Sequence, residues 1–130
     1  MISGKQAQDI LKAFSGKRIL VVGDLMLDRY VSGVVNRISP EAPVPVLLVT
    51  GERALPGGAA NVALNIQSLG GQAVVAGVMG KDRAGEDLLA TLTRNKIQTD
   101  GVLAYDALQT TVKTRVLADR QQIVRVDREE

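Results

Sequence analysis

The residues best suited to chemistry are two carboxylates, a glycine pair and one amide. Asp24 and Asp28 follow the apolar run Ile19-Leu20-Val21-Val22 almost directly. Ligands of open α/β sheets bind beyond the carboxyl ends of the strands, so both aspartates stand where a site is expected. Gly57-Gly58 open a helical pattern, with Asn61 in its first turn. Glycines there let the backbone approach a ligand closely. The first N–H groups of a helix lack intrahelical partners and can hold hydroxyl or anionic oxygens. The Asn61 amide can both donate and accept. The bland alternatives are a glycine turn with nothing bound, Asp24 capping a turn and Asp28 paired with Arg29 at the surface.

Composition removes several mechanisms. The chain has 130 residues with neither cysteine nor histidine. That excludes disulfides, Cys/His metal sites, a Ser-His-Asp triad and a cysteine nucleophile. Catalysis must rest on carboxylates, Lys/Arg, backbone dipoles or a borrowed Mg²⁺. Aromatic residues are 2% of the chain, which argues against base stacking on single-stranded nucleic acid. The net charge of +2 is interspersed, so no nucleic-acid partner is expected. No apolar run reaches membrane-spanning length and no signal peptide is visible, so a soluble cytoplasmic protein with no membrane partner is expected.

The elements that must position these residues follow an α/β rhythm with one interruption. Ala7, Ile10, Leu11 and Phe14 have helical spacing, with Ser3 as N-cap and Gly16 as stop. Arg18–Val22 has the pattern of a parallel strand buried on both faces. Three of the four prolines lie within Asn36–Pro45, which forbids a helix or a central strand there. Residues 29–53 therefore predict a small antiparallel flap outside the main sheet.

Val62, Ala63, Ile66 and Leu69 predict a helix with one apolar stripe, stopped by Gly70-Gly71. Ala73–Val78 predicts a second buried strand. Asp82 caps a helix to about Asn95 with Leu88, Leu89 and Leu92 inward, and Gly101–Tyr105 predicts a third strand. Lys81 is either solvated or a ligand contact. Residues 111–126 alternate as a half-exposed hairpin, placing Arg115 and Arg125 on polar faces. The turn at Asp119-Arg120 is a weak hairpin signal, which leaves its register open. About three strands of this kind make a small open sheet, and a strand lies next to Glu130. The chain therefore reads as the N-terminal portion of a larger domain, with core segments 1–28 and 54–109 and lid segments about 29–53 and 110–127.

Pro56-Gly57-Gly58-Ala59-Ala60-Asn61-Val62-Ala63, with Gly70 and Gly80 beyond, resembles the first signature of the ribokinase/PfkB carbohydrate kinases. Val21-Val22-Gly23-Asp24-Leu25-Met26-Leu27-Asp28 resembles that family's first strand and sugar-binding aspartate. Arg37–Val46, Lys113–Leu117 and Gln121–Asp127 are similar to a narrower group, the kinase half of bifunctional heptose 7-phosphate kinase/heptose 1-phosphate adenylyltransferases. The resemblance covers about residues 17–130.

It implies the N-terminal part of a ribokinase-like three-layer α/β/α fold with a small antiparallel β lid, often clasped into a homodimer. It implies a sugar-phosphate substrate, with ATP and Mg²⁺ as cofactors bound mainly by a C-terminal half. Phosphorylation of D-glycero-β-D-manno-heptose 7-phosphate at C1 follows for the parent protein, in lipopolysaccharide core synthesis. Asp28 would accept sugar hydroxyls, and Gly57, Gly58 and Asn61 would hold others, with Asp24 nearby. Arg37, Lys113 and Arg115 are candidates for the 7-phosphate, since arginine grips phosphate bidentately. The family's catalytic Gly-Ala-Gly-Asp segment is not found. Ala84-Gly85-Glu86-Asp87 sits inside an amphipathic helix and is assigned no catalysis. No catalytic residue and no metal ligand is assigned, and the chain alone is expected to be inactive. The other readings are a related kinase of another sugar or nucleoside, and a non-catalytic sugar-binding or dimerisation module. A dinucleotide fold fails because Gly23–Asp28 lacks the second and third glycines of that fingerprint.

Overall fold

Apolar runs that alternate with amphipathic segments bury most area as strands with helices laid across them. In the computed structural model, which describes residues 2–129, this gives the order α1 (Gly4–Lys12), β1 (Arg18–Val22), β2 (Leu25–Ile38), β3 (Pro45–Gly57), α2 (Gly58–Ser68), β4 (Gln72–Gly80), α3 (Arg83–Arg94), β5 (Gln98–Tyr105), β6 (Thr111–Ala118) and β7 (Gln121–Arg128). Two sheets result. The first is parallel, in the order β1-β4-β5. The second has the order β3-β2-β6-β7. Its two hairpins, β2–β3 and β6–β7, are antiparallel, and a parallel β2–β6 pairing joins them. This second sheet is the expected lid, with a parallel seam at its centre.

The core lies where the two sheets meet the helices. Ala60 and Ala63 of α2, Leu88 and Leu92 of α3, Ala73 and Val75 of β4, Leu25 and Leu27 of β2, and Val112 of β6 form one buried cluster. Strand β2 thus begins inside the core and continues out as a lid strand. Its first alternate residues, Leu25 and Leu27, are buried, while Met26 and Asp28 point away from the cluster.

Two burial expectations need correction. Strand β1 is not buried on both faces: Leu20 is 61% exposed and Val22 72%. It is an edge strand, and the helices cover one face of the sheet only. Val78 and Leu103 on the in-register neighbours share that open face. The apolar stripe of α2 is also rotated. Ala60 and Ala63 face the core, whereas Val62 and Leu69 are exposed. Small residues bring the helix closer to the strands than larger ones would. Helix α1 has its Ser3 capping box with Gln6, yet buries none of its residues.

The helix limits otherwise follow local chemistry. Gly70, at φ +87°, ends α2, with the Gly71 N–H returning to the Ile66 carbonyl. The Asp82 side chain accepts from the Gly85 N–H and opens α3. The second oxygen of Asp82 accepts the N–H of Thr110, a fully buried residue just before β6. The Thr110 hydroxyl bonds both the N–H and the carbonyl of Gly80. Three separate segments, the end of β4, the start of α3 and the entry to β6, are tied at this point. No helix among the described residues is long and apolar enough to cross a membrane.

Candidate sugar-binding site

Asp28 lies where β2 emerges from the core. Its cross-strand neighbours are Leu55 on β3 and Lys113 on β6. One carboxylate oxygen, Oδ1, accepts from Arg115 Nη1 at 2.5 Å. The other lies beside Gly57, where an added Cβ would stand 2.9 Å from Oδ2 and 2.8 Å from Met26 Cγ. The structure therefore brings Asp28, Gly57 and Arg115 together. Both charged side chains are only partly exposed.

The glycine pair makes room for atoms of the chain itself. Gly58 has φ +54°, and a Cβ there would meet the Asp24 carbonyl oxygen at 2.4 Å. The Ala59 N–H donates to that same carbonyl. The missing side chains thus make room for the protein's own β1–β2 turn and for the Asp28 carboxylate. They tie Asp24 and Asp28 to the start of α2. Asp24 also lines a cleft between the end of β4 and the base of the lid, with Met26, Met79, Gln109 and Thr111. Asn61 lies in the first turn of α2, exposed, and its amide has no protein partner among the described residues.

Two cross-strand rows make up the polar face of the lid. The first runs Leu55–Asp28–Lys113–Asp127, and the second Arg53–Tyr30–Arg115–Arg125. Lys113 Nζ bonds Glu129 and reaches Asp127 at 3.4 Å. Its ammonium pKa is raised, chiefly by the hydrogen bond to Glu129. Arg125 Nε bonds both oxygens of Asp127. That contact first, then Lys113, holds the Asp127 carboxyl below its ordinary range. The hydrogen bond to Asp28 raises the Arg115 guanidinium further, so this cation persists at any working pH. Arg115 and Arg53 flank the Tyr30 ring, at 5.4 Å and 4.7 Å from its centre.

Arg37 is not brought to this site. It pairs with Val46 beyond two register shifts, at the far end of β2. Nine residues of strand, roughly 30 Å at the usual rise, separate it from Asp28. Lys81 forms an ion pair with Asp106 at 2.9 Å, both solvent-exposed. Arg53 and Tyr30 went unassigned from sequence. The one available signal was the alternation of β3, which sets Arg53 two positions from Leu55 on the face that carries Asp28.

A parallel sheet with helices on one face and a β-sheet lid grown out of its first connection make an α/β fold of the ribokinase type, shared by solved structures. A carbohydrate kinase from Agrobacterium tumefaciens superposes with a TM-score of 0.70 at 22% identity, over 86% of this chain and 35% of that one. The ribokinase of Arabidopsis thaliana, solved with ribose and ATP, superposes at 0.68 with 20% identity, over 88% and 36%. The profile of the pfkB family carbohydrate kinases matches residues 17–130, and the chain belongs to that family. It is 52% identical to the bifunctional protein HldE of Caulobacter sp. (strain K31) over 120 residues, 92% of this chain and 24% of that protein. It is 53% identical to HldE of Gluconobacter oxydans (strain 621H) over 111 residues, 85% of this chain and 23% of that protein. The chain thus spans about a quarter of the length of these relatives.

Proposed function

We infer that the chain forms the acceptor-binding part of an ATP-dependent kinase acting on D-glycero-β-D-manno-heptose 7-phosphate. The γ-phosphoryl group would pass in line to the C1 hydroxyl, giving the 1,7-bisphosphate and ADP, in the cytoplasm, on the route to lipopolysaccharide core. The observation that carries this reading is the Asp28 carboxylate, set between Arg115 and buried Gly57 at the mouth of the lid. High identity to HldE proteins supports the choice of a heptose.

Asp28 accepts hydrogen bonds from ring hydroxyls. The free Asn61 amide and the first N–H groups of α2 hold others, with Asp24 closing the cleft. Lys113 and Arg115 favour the phosphate arm. Mg²⁺–ATP would supply the transferable phosphoryl group. Among the described residues, no three acidic side chains converge as a metal site. This chain spans about a quarter of the HldE relatives, and we assign ATP and Mg²⁺ binding, mainly, and the base that takes the C1 proton, to the rest of the parent protein. Chain 1–130 should show no phosphoryl transfer from ATP. Turnover by the purified chain would sink that division of labour.

Titration calorimetry tests the acceptor reading. Heptose 7-phosphate should bind chain 1–130, and Asp28→Asn should weaken it by about tenfold or more, the loss of a charge-assisted hydrogen bond. Preference for another sugar or a nucleoside would redirect the substrate. No binding of any sugar would leave a dimerisation module. Pairing of two lids is the expected assembly, supported by exposed Val124 and Val126 on β7 and Leu48 and Val49 on β3. Arg37 would then enter a site only from the far end of a second copy's lid. Sedimentation of the wild type as a monomer at all concentrations would count against this.

A further inference from the structure

We propose that Arg53, stacked on Tyr30, is a specificity-determining contact for the anionic arm of the acceptor. The inference rests on the acceptor-site reading above and adds a residue to it. Every other cation in the two rows beside Asp28 has an acidic partner: Arg115 has Asp28, Lys113 has Asp127 and Glu129, and Arg125 has Asp127. Arg53 has none among the described residues. It is nonetheless held in place, its guanidinium carbon 4.7 Å from the Tyr30 ring centre. Stacking fixes the plane of the guanidinium and leaves its N–H edge free, which is the geometry that grips phosphate.

The position suits the task. Arg53 and Arg115 are the two direct cross-strand neighbours of Tyr30. Their row lies two residues along β2 from Asp28, roughly 7 Å. A sugar whose ring hydroxyls meet Asp28 would lay a phosphate on its exocyclic carbon across that row. Beyond it, Arg53 borders a groove lined also by Ser32, Thr50, Leu117, Asp119 and Arg120, in which one further cation is offset by one carboxylate. The ligand class is therefore a sugar with a terminal phosphate, and not a neutral sugar.

Calorimetry of chain 1–130 with three probes decides the matter: heptose 7-phosphate, the same heptose without phosphate, and inorganic phosphate. Arg53→Gln should weaken the sugar phosphate by about tenfold or more and leave the neutral sugar within about twofold. Arg53→Lys should recover part of the loss, because charge returns without the planar fork. Inorganic phosphate should bind the wild type more weakly than the sugar phosphate, and more weakly still after Arg53→Gln. Unchanged binding of the sugar phosphate by Arg53→Gln overturns the proposal. So does an equal loss of both sugars, which would mark a structural role. If Asp28→Asn abolishes both sugars while Arg53→Gln changes nothing, the acceptor reading stands and this one falls. If Asp28→Asn is also without effect, both fall.

Discussion

Gly57 leaves the space that the Asp28 carboxylate occupies, so the two residues behave as one unit. Gly57→Ala would press a methyl group against Met26 and Asp28 at under 3 Å. Overpacking of that kind costs about 1–3 kcal/mol, and denaturant titration should show it together with weaker sugar binding. Gly58→Ala should be worse, because its positive φ adds backbone strain to a collision with a carbonyl that cannot rotate away.

Asp82 offers a pH test. Burial alone would raise its carboxyl pKa, but hydrogen bonds from Thr110 and Gly85 outweigh it and hold the group below 3.8. A pKa depressed in the folded state means stability that is present above the unfolded value and lost as pH falls through the folded one. The stability gap between the wild type and Asp82→Asn should therefore be open at pH 7 and should close below about pH 4. At neutral pH, loss of the cap itself in Asp82→Ala should cost about 1–2 kcal/mol. A gap that persists unchanged to pH 2 would show that the charge on Asp82 is not what matters.

At the scale of elements, the β6–β7 hairpin turns through Asp119 and Arg120, both at positive φ. A two-residue turn of this hand favours Asn-Gly. Replacing the pair with Asn-Gly should stabilise the chain by about 0.5–1 kcal/mol in thermal or denaturant unfolding, since the arginine no longer holds a left-handed backbone. The alternation of residues 111–126 made this hairpin legible in the sequence, while its register depended on a turn with no strong signature.

Asp28 could be singled out as a candidate from sequence alone, because it follows the β1 run closely. Arg115 was a sequence candidate as well, but its contact with Asp28 was not legible, because it joins residues 87 apart and only the β2–β6 pairing creates it. Arg53 was hidden by the same lack of long-range information. The burial of β1 and α2 was misread because an apolar run records what a segment can bury, not what neighbours cover. Val22 and Val75 are the same residue type on paired strands, yet one is 72% exposed and the other fully buried.

At the scale of the whole molecule, the first sheet carries helices on one face, and Leu20, Val22, Val78 and Leu103 form an open apolar surface on the other. An exposed apolar patch marks an interaction surface or an aggregation liability. Leu20→Lys with Val22→Thr should reduce binding of a hydrophobic dye and slow aggregation on heating, with little loss of stability, because neither side chain is buried in the described core. A large drop in melting temperature would instead show that the face is occupied within the folded chain.

The parallel seam between β2 and β6 also sets an order of events in time. Hairpins β2–β3 and β6–β7 are local and form from neighbouring residues. Their union must wait until the chain between them has closed a long loop, and such contacts slow folding. Interactions that form after the rate-limiting step change the unfolding rate and leave the folding rate alone. The β6–β7 hairpin forms before that step, so the Asn-Gly turn should speed refolding in stopped-flow measurements and leave the unfolding rate nearly unchanged. Slower unfolding with unchanged refolding would place the hairpin after the rate-limiting step instead.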